Sequence, residues 1–460
     1  MPARDVSPFL QGNYAPWRVE GDAPDLEVTG ELPRDLNGTF YRNGPNPAFP
    51  PAGRYHWFDG DGMIHAITLR EGRASYRNRW VQSAGLRDER AAGRALATSL
   101  LDLKPTEAPR FKNAANTNVV FHAGKLLALV ESSLPTQLVP GTLETLGEYD
   151  FGGRLGGPMT AHPKTDPATG EMLFFGYSPF PPYLVYHVGD ARGALVRSEP
   201  IDLPWPSMIH DFAVTDDAVV FMLFPLVFSF EDMKRRGGAF SWEPERGTRI
   251  GVMPRTGGNA DVRWFEAAPS YVFHPMNAYQ EGDTLTVDVA QYQRIDFMSP
   301  RNADDRIDRD GNLSRMHRWT IDLRAGTVRD RLLDDLGAEF PRIDERLLGR
   351  KHRFGYAAVK IDGGGAMPEY DGIRAWDLER GTTQTRRFGA GNGAGEPLFV
   401  PRHGASAEDD GYVLVLVYDA ARNASDFHVL DARNVAGEPV ATVRLPHRVP
   451  YGFHGNWVPG

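Results

Sequence analysis

Apolar positions along this chain come in short bursts. Asn118-Val-Val-Phe-His122, Lys125-Leu-Leu-Ala-Leu-Val130, Met172-Leu-Phe-Phe-Gly176, Tyr183-Leu-Val-Tyr-His-Val188 and Ala218-Val-Val-Phe-Met-Leu-Phe224 are apolar or alternating runs of strand length. Thr284–Ala290, His317–Leu323, Tyr412–Tyr418, Phe427–Asp431 and Val440–Leu445 repeat the pattern nearer the C-terminus. Polar turns such as Asp166-Pro-Ala-Thr-Gly170, Glu281-Gly-Asp283 and Arg324-Ala-Gly326 separate many of them. Strands of this length at this spacing, without alternating helices, predict an all-β architecture. One stretch, Ala91–Leu103 with Leu96, Leu100, Leu101 and Leu103, has a weak amphipathic pattern and predicts a helix.

The first 35 or so residues are rich in Pro and Gly and read as an irregular arm. After them, Thr39-Phe-Tyr41 predicts a short strand between the turn formers Asn37-Gly38 and Asn43-Gly44-Pro45-Asn46-Pro47. Asp59-Gly-Asp-Gly62 predicts a hairpin turn, with His56 and His65 as strand residues beside it. No Gly/Ser or Pro linker divides the chain, so residues 1–460 read as a single domain. The loose grammar of strand, turn, strand resembles propeller blades, which close radially and leave few exposed edges, although no fixed period is visible. Joining the two chain ends in one blade would account for a C-terminus carrying Tyr451, Phe453, His454 and Trp457, since an unattached terminus frays.

Composition narrows the chemistry. The formal charge of −9, without a Lys/Arg run, argues against nucleic acid as a partner. There is no cysteine, which excludes disulfides, thiolate catalysis and iron–sulfur clusters and leaves His, carboxylate or carbonyl as metal ligands. No apolar run reaches membrane-spanning length and the N-terminus lacks a signal-like apolar core, so a cytoplasmic location is the simplest expectation.

Four histidines share a setting, each at the end of an apolar or small-residue run: Thr160-Ala-His162-Pro-Lys164, Met208-Ile-His210-Asp-Phe212, Val272-Phe-His274-Pro-Met276 and Tyr451-Gly-Phe-His454-Gly455. Four neutral imidazoles would suit Fe, Zn, Cu or Ni. Their spacing matches no local motif, so from residue types alone they read either as one metal centre or as separate structural histidines. His122, His187 and His428 read as ordinary strand residues.

The contexts carry more. Asn37-Gly-Thr-Phe-Tyr-Arg-Asn-Gly-Pro-Asn-Pro47, Trp57-Phe-Asp-Gly-Asp-Gly-Met63, Asn116-Thr-Asn118, the four histidine segments and Gly395-Glu-Pro-Leu-Phe-Val-Pro-Arg402 together resemble the carotenoid cleavage oxygenase family. That family includes carotenoid, apocarotenoid and stilbene cleavers and the animal retinoid isomerases. The resemblance runs in order from about Leu36 to Gly460. It implies a seven-bladed β-propeller, with a few short helices and loops over one face. It also implies a non-haem Fe(II) held by His162, His210, His274 and His454. Glu131, Glu339 and Glu396 match the family's outer glutamates, which accept the second N–H of three ligand imidazoles and so fix tautomer and orientation.

The implied reaction is O2-dependent cleavage of a conjugated C=C bond into two carbonyl products. The implied partners are a hydrophobic alkene and O2. Val130 stands where stilbene and phenylpropene cleavers have a lysine that engages a phenolic hydroxyl, which favours a carotenoid or apocarotenoid and makes a stilbenoid or phenylpropenoid the alternative. A non-catalytic binding propeller is the rival from another class. Phe221-Met-Leu-Phe-Pro-Leu-Val-Phe-Ser-Phe230 reads either as buried strand and loop or as an apolar surface for substrate entrance or peripheral membrane contact.

Overall fold

The computed structural model describes residues 7–99, 111–231, 233, 239–295, 313–361 and 369–460. Its sheets form a seven-bladed β-propeller. Blade I is Gly38–Pro45, Gly62–Arg70 and Arg73–Trp80, with Gly21–Ala23 outside and Gly455–Pro459 inside. Blade II runs from Asn118–His122 to Thr145–Glu148, blade III from Lys164–Thr165 to Leu195–Ile201 and blade IV from Ala213–Val214 to Arg263–Ala267. A seven-stranded sheet from Tyr271–Glu281 to Thr382–Arg387 makes blades V and VI, which share the long strand Thr327–Arg342. Blade VII holds Leu398–Pro401, Gly411–Asp419, Ala424–Asp431 and Ala441–Arg444.

The continuous apolar runs follow from this arrangement. A strand's side chains alternate between faces, and here both faces of a blade pack against neighbouring blades. Val219, Phe221 and Leu223 join a cluster with Leu173 and Phe175 of blade III. Val220 and Met222 turn the other way, to Leu285, Val287 and Trp319 of blade V. The same sandwiching continues around the ring, ending where Leu414 and Phe427 of blade VII meet Phe40 and Ile67 of blade I. Ring closure is double. Gly455–Pro459 pairs antiparallel with Gly38–Pro45, and Val28–Gly30 pairs with Ala441–Arg444 as the outer strand of blade VII.

Several sequence expectations need correction. The segment before residue 36 contains two strand additions, Gly21–Ala23 on blade I and Val28–Gly30 on blade VII, beside short 3-10 turns. The helix lies at Ala84–Ala92 rather than Ala91–Leu103: Ser83 caps its start, and Gly93, at φ +66°, ends it in the left-handed region. Residues 100–103 of that expected helix lie outside the described residues. Leu86 anchors the observed helix against Met63 and Trp80.

Asp59-Gly-Asp-Gly62 is no hairpin. Trp57–Asp59 forms a 3-10 turn capped by His56, so His56 is not a strand residue, whereas His65 lies within Gly62–Arg70. Gly62 is required by close approach, since a Cβ there would collide with the Ala115 carbonyl. Asn43-Gly44-Pro45 is likewise not a turn but the end of an eight-residue strand. Phe221–Val227 is core, with Phe221 through Leu226 essentially unexposed. Only Phe230 reaches the surface, against the exposed Phe180 ring. Among the described residues, no helix is long and apolar enough to cross a membrane.

Candidate metal centre

Each blade delivers one residue of the sequence-derived set to the axis. His162 precedes the inner strand of blade III, His210 that of blade IV, and His454 the inner strand Gly455–Pro459 of blade I. His274 lies within the inner strand of blade V. Glu131 follows Lys125–Leu129 in blade II, Glu339 lies on the shared strand where blade VI begins, and Glu396 falls in the inner turn of blade VII.

Side-chain donors lock these segments to one another. Asn43 Nδ2 donates to the carbonyls of Ala115 and Asn118, both at 2.8 Å, tying blade I to blade II. Asn118 Nδ2 reaches the Ala161 carbonyl of blade III at 2.8 Å, and Thr160 Oγ1 donates to the His210 carbonyl of blade IV at 3.2 Å. The backbone of Asn43 brackets His454: its N–H donates to the His454 carbonyl at 2.9 Å, and its carbonyl accepts from Phe453 N at 3.0 Å. Here lies the physical content of the motifs. Asn and Thr stand beside the histidines because a buried backbone turn needs partners that no neighbouring strand supplies.

The four imidazoles converge, with one nitrogen of each lying within 4.8 Å of the other three. His162 Nε2 and His210 Nε2 are 2.9 Å apart. Three Nδ1 atoms are engaged by carboxylates: His210 by Glu131 at 2.5 Å, His274 by Glu339 at 2.5 Å and His454 by Glu396 at 3.0 Å. An Nδ1–H donated to a carboxylate leaves Nε2 with its lone pair facing inward. Among the described residues, His274 Nε2 is buried without a hydrogen-bond partner, an orphan that a cation would satisfy. The donor set therefore fits a transition metal that prefers imidazole.

Electrostatics keep two of the four imidazoles neutral and ready for a cation. Burial holds His162 well below the usual imidazole range, helped by the neighbouring imidazoles. Burial likewise depresses His454 to about 3, against the pull of Glu396. His274 goes the other way, because the Glu339 carboxylate outweighs the desolvation and raises it. Burial would push the Glu396 carboxyl up, but Arg342, His454 and the Gly455 N–H together hold it at about 2.

Further residues complete the shell. Tyr177 donates to Glu131 Oε1 at 2.7 Å, and Arg342 reaches Glu396 Oε1 at 3.2 Å. His162 Nδ1 is 3.7 Å from the buried carboxylate of Asp211, beyond hydrogen-bond length, and Asp211 is itself held by Lys164 at 2.8 Å. Phe340, at φ +56°, stacks on His274 with ring centroids 5.4 Å apart. Its backbone occupies a region costly for a non-glycine residue, as strained positions near functional sites often do. Asp211 and Lys164 fall inside the histidine segments singled out in the sequence and Arg342 lies three residues after Glu339, whereas Tyr177 had no signal there.

The other histidines stay apart from this cluster. His122 bonds the Gly170 carbonyl, His187 the Ser198 hydroxyl and His428 the Thr442 hydroxyl, each from within a strand. Val130 is half-buried beside Glu131, just past the end of the strand Lys125–Leu129.

Comparison with known proteins points the same way. Residues 14–459 match the family model for retinal pigment epithelial membrane protein, RPE65. The chain is 37% identical to carotenoid 9,10(9',10')-cleavage dioxygenase 1 of Arabidopsis thaliana, covering 98% of this chain and 89% of that one. It belongs to the carotenoid cleavage oxygenase family. Isoeugenol monooxygenase of Pseudomonas nitroreducens is 35% identical over 98% of both chains. The lignostilbene dioxygenase structure from Pseudomonas brassicacearum superimposes with a TM-score of 0.93 at 35% identity, covering 99% of each chain. As a carotenoid cleavage oxygenase the protein is an oxidoreductase that incorporates O2.

Proposed function

We propose that this carotenoid cleavage oxygenase is an Fe(II)-dependent dioxygenase acting on one conjugated C=C bond of a carotenoid or apocarotenoid, with residues 1–460 working as a single propeller domain. The observation that carries the reading is the set of four axial imidazoles, three of them held through Nδ1 by carboxylates, two of which are buried. His162, His210, His274 and His454 would hold the iron, and Glu131, Glu339 and Glu396 would fix the three imidazoles they touch. A ferrous ion held there would supply the activation of dioxygen. The balance closes without an organic cosubstrate: alkene plus O2 gives two carbonyl compounds, each taking one oxygen atom.

The protein's own work is orientation. The carboxylates hold three rings in one tautomer, the Asn and Thr links fix the backbones that carry them, and Phe340 covers His274 with an apolar ring. Val130 supports the polyene reading, because an apolar side chain beside Glu131 offers a phenol no partner. Cleavage of a stilbenoid or phenylpropenoid is the second reading, favoured by the likeness to the lignostilbene and isoeugenol enzymes. The test is metal analysis of the purified protein, followed by aerobic incubation with an apocarotenoid, resveratrol and isoeugenol. Iron at one per chain with aldehyde products from the polyene supports the proposal, while products from the phenolic alkenes alone promote the second reading.

A further inference from the structure

Among the described residues, the buried cation Arg42 has neither a hydrogen-bond nor an ion-pair partner for its guanidinium. It lies on the strand Gly38–Pro45 and is 5% exposed. Neighbouring side chains are pared away around it. A Cβ on Gly395 would stand 3.1 Å from Nη2, so that glycine leaves room for the guanidinium plane, while Gly452 lies alongside at ordinary contact distance, a Cβ there being 3.5 Å from Cζ. The carboxylate that acts on it electrostatically is Glu396, which is already engaged by His454, Arg342 and the Gly455 N–H.

Arg42 lines a cavity of about 10 Å³, together with Asn13, Tyr418, Ser425, Tyr451 and backbone of blade VII. That is room for a single small ion or one water. Its wall is rich in donors. Ser425 Oγ accepts from Val449 N, which leaves the hydroxyl proton available. The Tyr451 hydroxyl has no partner among the described residues and sits so close over Gly393 that a Cβ there would collide with it. Tyr418 donates away from the cavity, to Asn423. Asn13 Nδ2 is used by the Val449 carbonyl, and its Oδ1 is buried without a partner. That one oxygen is the acceptor a bridging water would use.

We propose that Arg42, Ser425 and Tyr451 form a binding site for a single chloride-sized anion. An isolated cation in the interior is strongly unfavourable unless paired and hydrogen-bonded, and an anion accepting from the guanidinium and two hydroxyls supplies both. Consistent with the missing partner, burial lowers the Arg42 guanidinium to about 10. The cavity's lining includes none of the four imidazoles or the carboxylates that touch them, so the anion would balance Arg42 without competing for the metal.

The experiment uses the full-length holoprotein, crystallised without chloride and soaked in sodium bromide. An anomalous bromide peak at hydrogen-bond distance from the Arg42 guanidinium is expected, and Arg42→Met should abolish it. In solution, Tm should rise saturably with chloride against sodium gluconate at equal ionic strength, and Arg42→Met should be flat. Since Arg42→Met can also fail to fold, Ser425→Ala provides a second arm. It should shift the half-saturating chloride concentration upward roughly two- to tenfold, the worth of one hydrogen bond. A water in the cavity at every bromide concentration, with a Tm indifferent to halide, overturns the proposal. So does a peak seen only at molar bromide with no Tm response, which marks an adventitious ion only.

Discussion

Glu396 Oε1 accepts from His454 Nδ1 at 3.0 Å and from Arg342 Nη1 at 3.2 Å, so one carboxylate oxygen serves an imidazole of the cluster and a buried guanidinium together. The other oxygen takes the Gly455 N–H at 2.8 Å. Glu396→Gln keeps the shape but replaces the charged acceptor and leaves Arg342 without its buried counter-charge. Loss of such an outer partner typically costs ~10–100-fold in metal affinity or activity. Iron content and kcat of Glu396→Gln, measured side by side with the parent, should fall in that range, and parental values for both would remove Glu396 from the site.

His274→Ala removes the imidazole whose Nε2 is the buried orphan. The protein should purify with little or no iron and no cleavage activity. His187→Gln and His428→Gln, altered at strand positions bonded to Ser198 and Thr442, should keep full iron content. Iron retained by His274→Ala, determined by elemental analysis, would dismiss that ligand.

Acid should destabilise the fold well above the carboxylate range. Burial depresses His187, His352 and His428 to about 4 and His56 to about 3. The unfolded chain titrates these groups near ~6.5. Between those values the unfolded state binds the extra protons, so stability present above about pH 6.5 is lost as pH falls toward 4, at no more than about 1.4 kcal/mol per pH unit for each group. Tm measured from pH 8 to pH 4 should hold steady and then drop below pH 6.5, and His187→Gln should make that drop shallower. A Tm constant down to pH 4.5 would contradict the argument.

Substrate choice should turn on Val130. A phenolic hydroxyl placed beside valine loses its water without gaining a partner, a penalty of ~1–3 kcal/mol. That corresponds to roughly tenfold to a hundredfold in specificity. kcat/KM should therefore be higher on an apocarotenoid than on resveratrol or isoeugenol in the same detergent. Val130→Lys, which sets a charge at a half-buried apolar position, should suppress polyene cleavage. An enzyme that turns over the phenolic alkenes and ignores every polyene would overturn this reading.

What could be read from the chain divides along physical lines. Strand runs such as Ala218–Leu223 were legible because both faces of a blade are buried and leave an unbroken apolar signal. The histidine and glutamate positions were legible through their motifs, and the structure gives the reason: Asn43, Asn118 and Thr160 bond the backbones that carry the site. Local turn chemistry misled where tertiary contact governs. Asn43-Gly44 is strand because Gly44 must pass Gly452, and Gly62 yields to the Ala115 carbonyl. The Tyr177–Glu131 bond joins residues from neighbouring blades, and nothing in a single chain's local pattern encodes such a pair.

The double closure of the ring has a consequence for how the molecule comes into being. His454 reaches the axis only when Gly455–Pro459 lays itself against Gly38–Pro45, two segments from opposite ends of the propeller. Contacts of such sequence separation form late, because the loop entropy must be overcome before they reward it. Six blades can be stacked in order and still hold only three of the imidazoles. The moment that the circle shuts is also the moment the fourth arrives, so a half-made molecule lacks the complete four-imidazole cluster. An iron centre of the kind proposed would therefore be loaded only once the ring has closed.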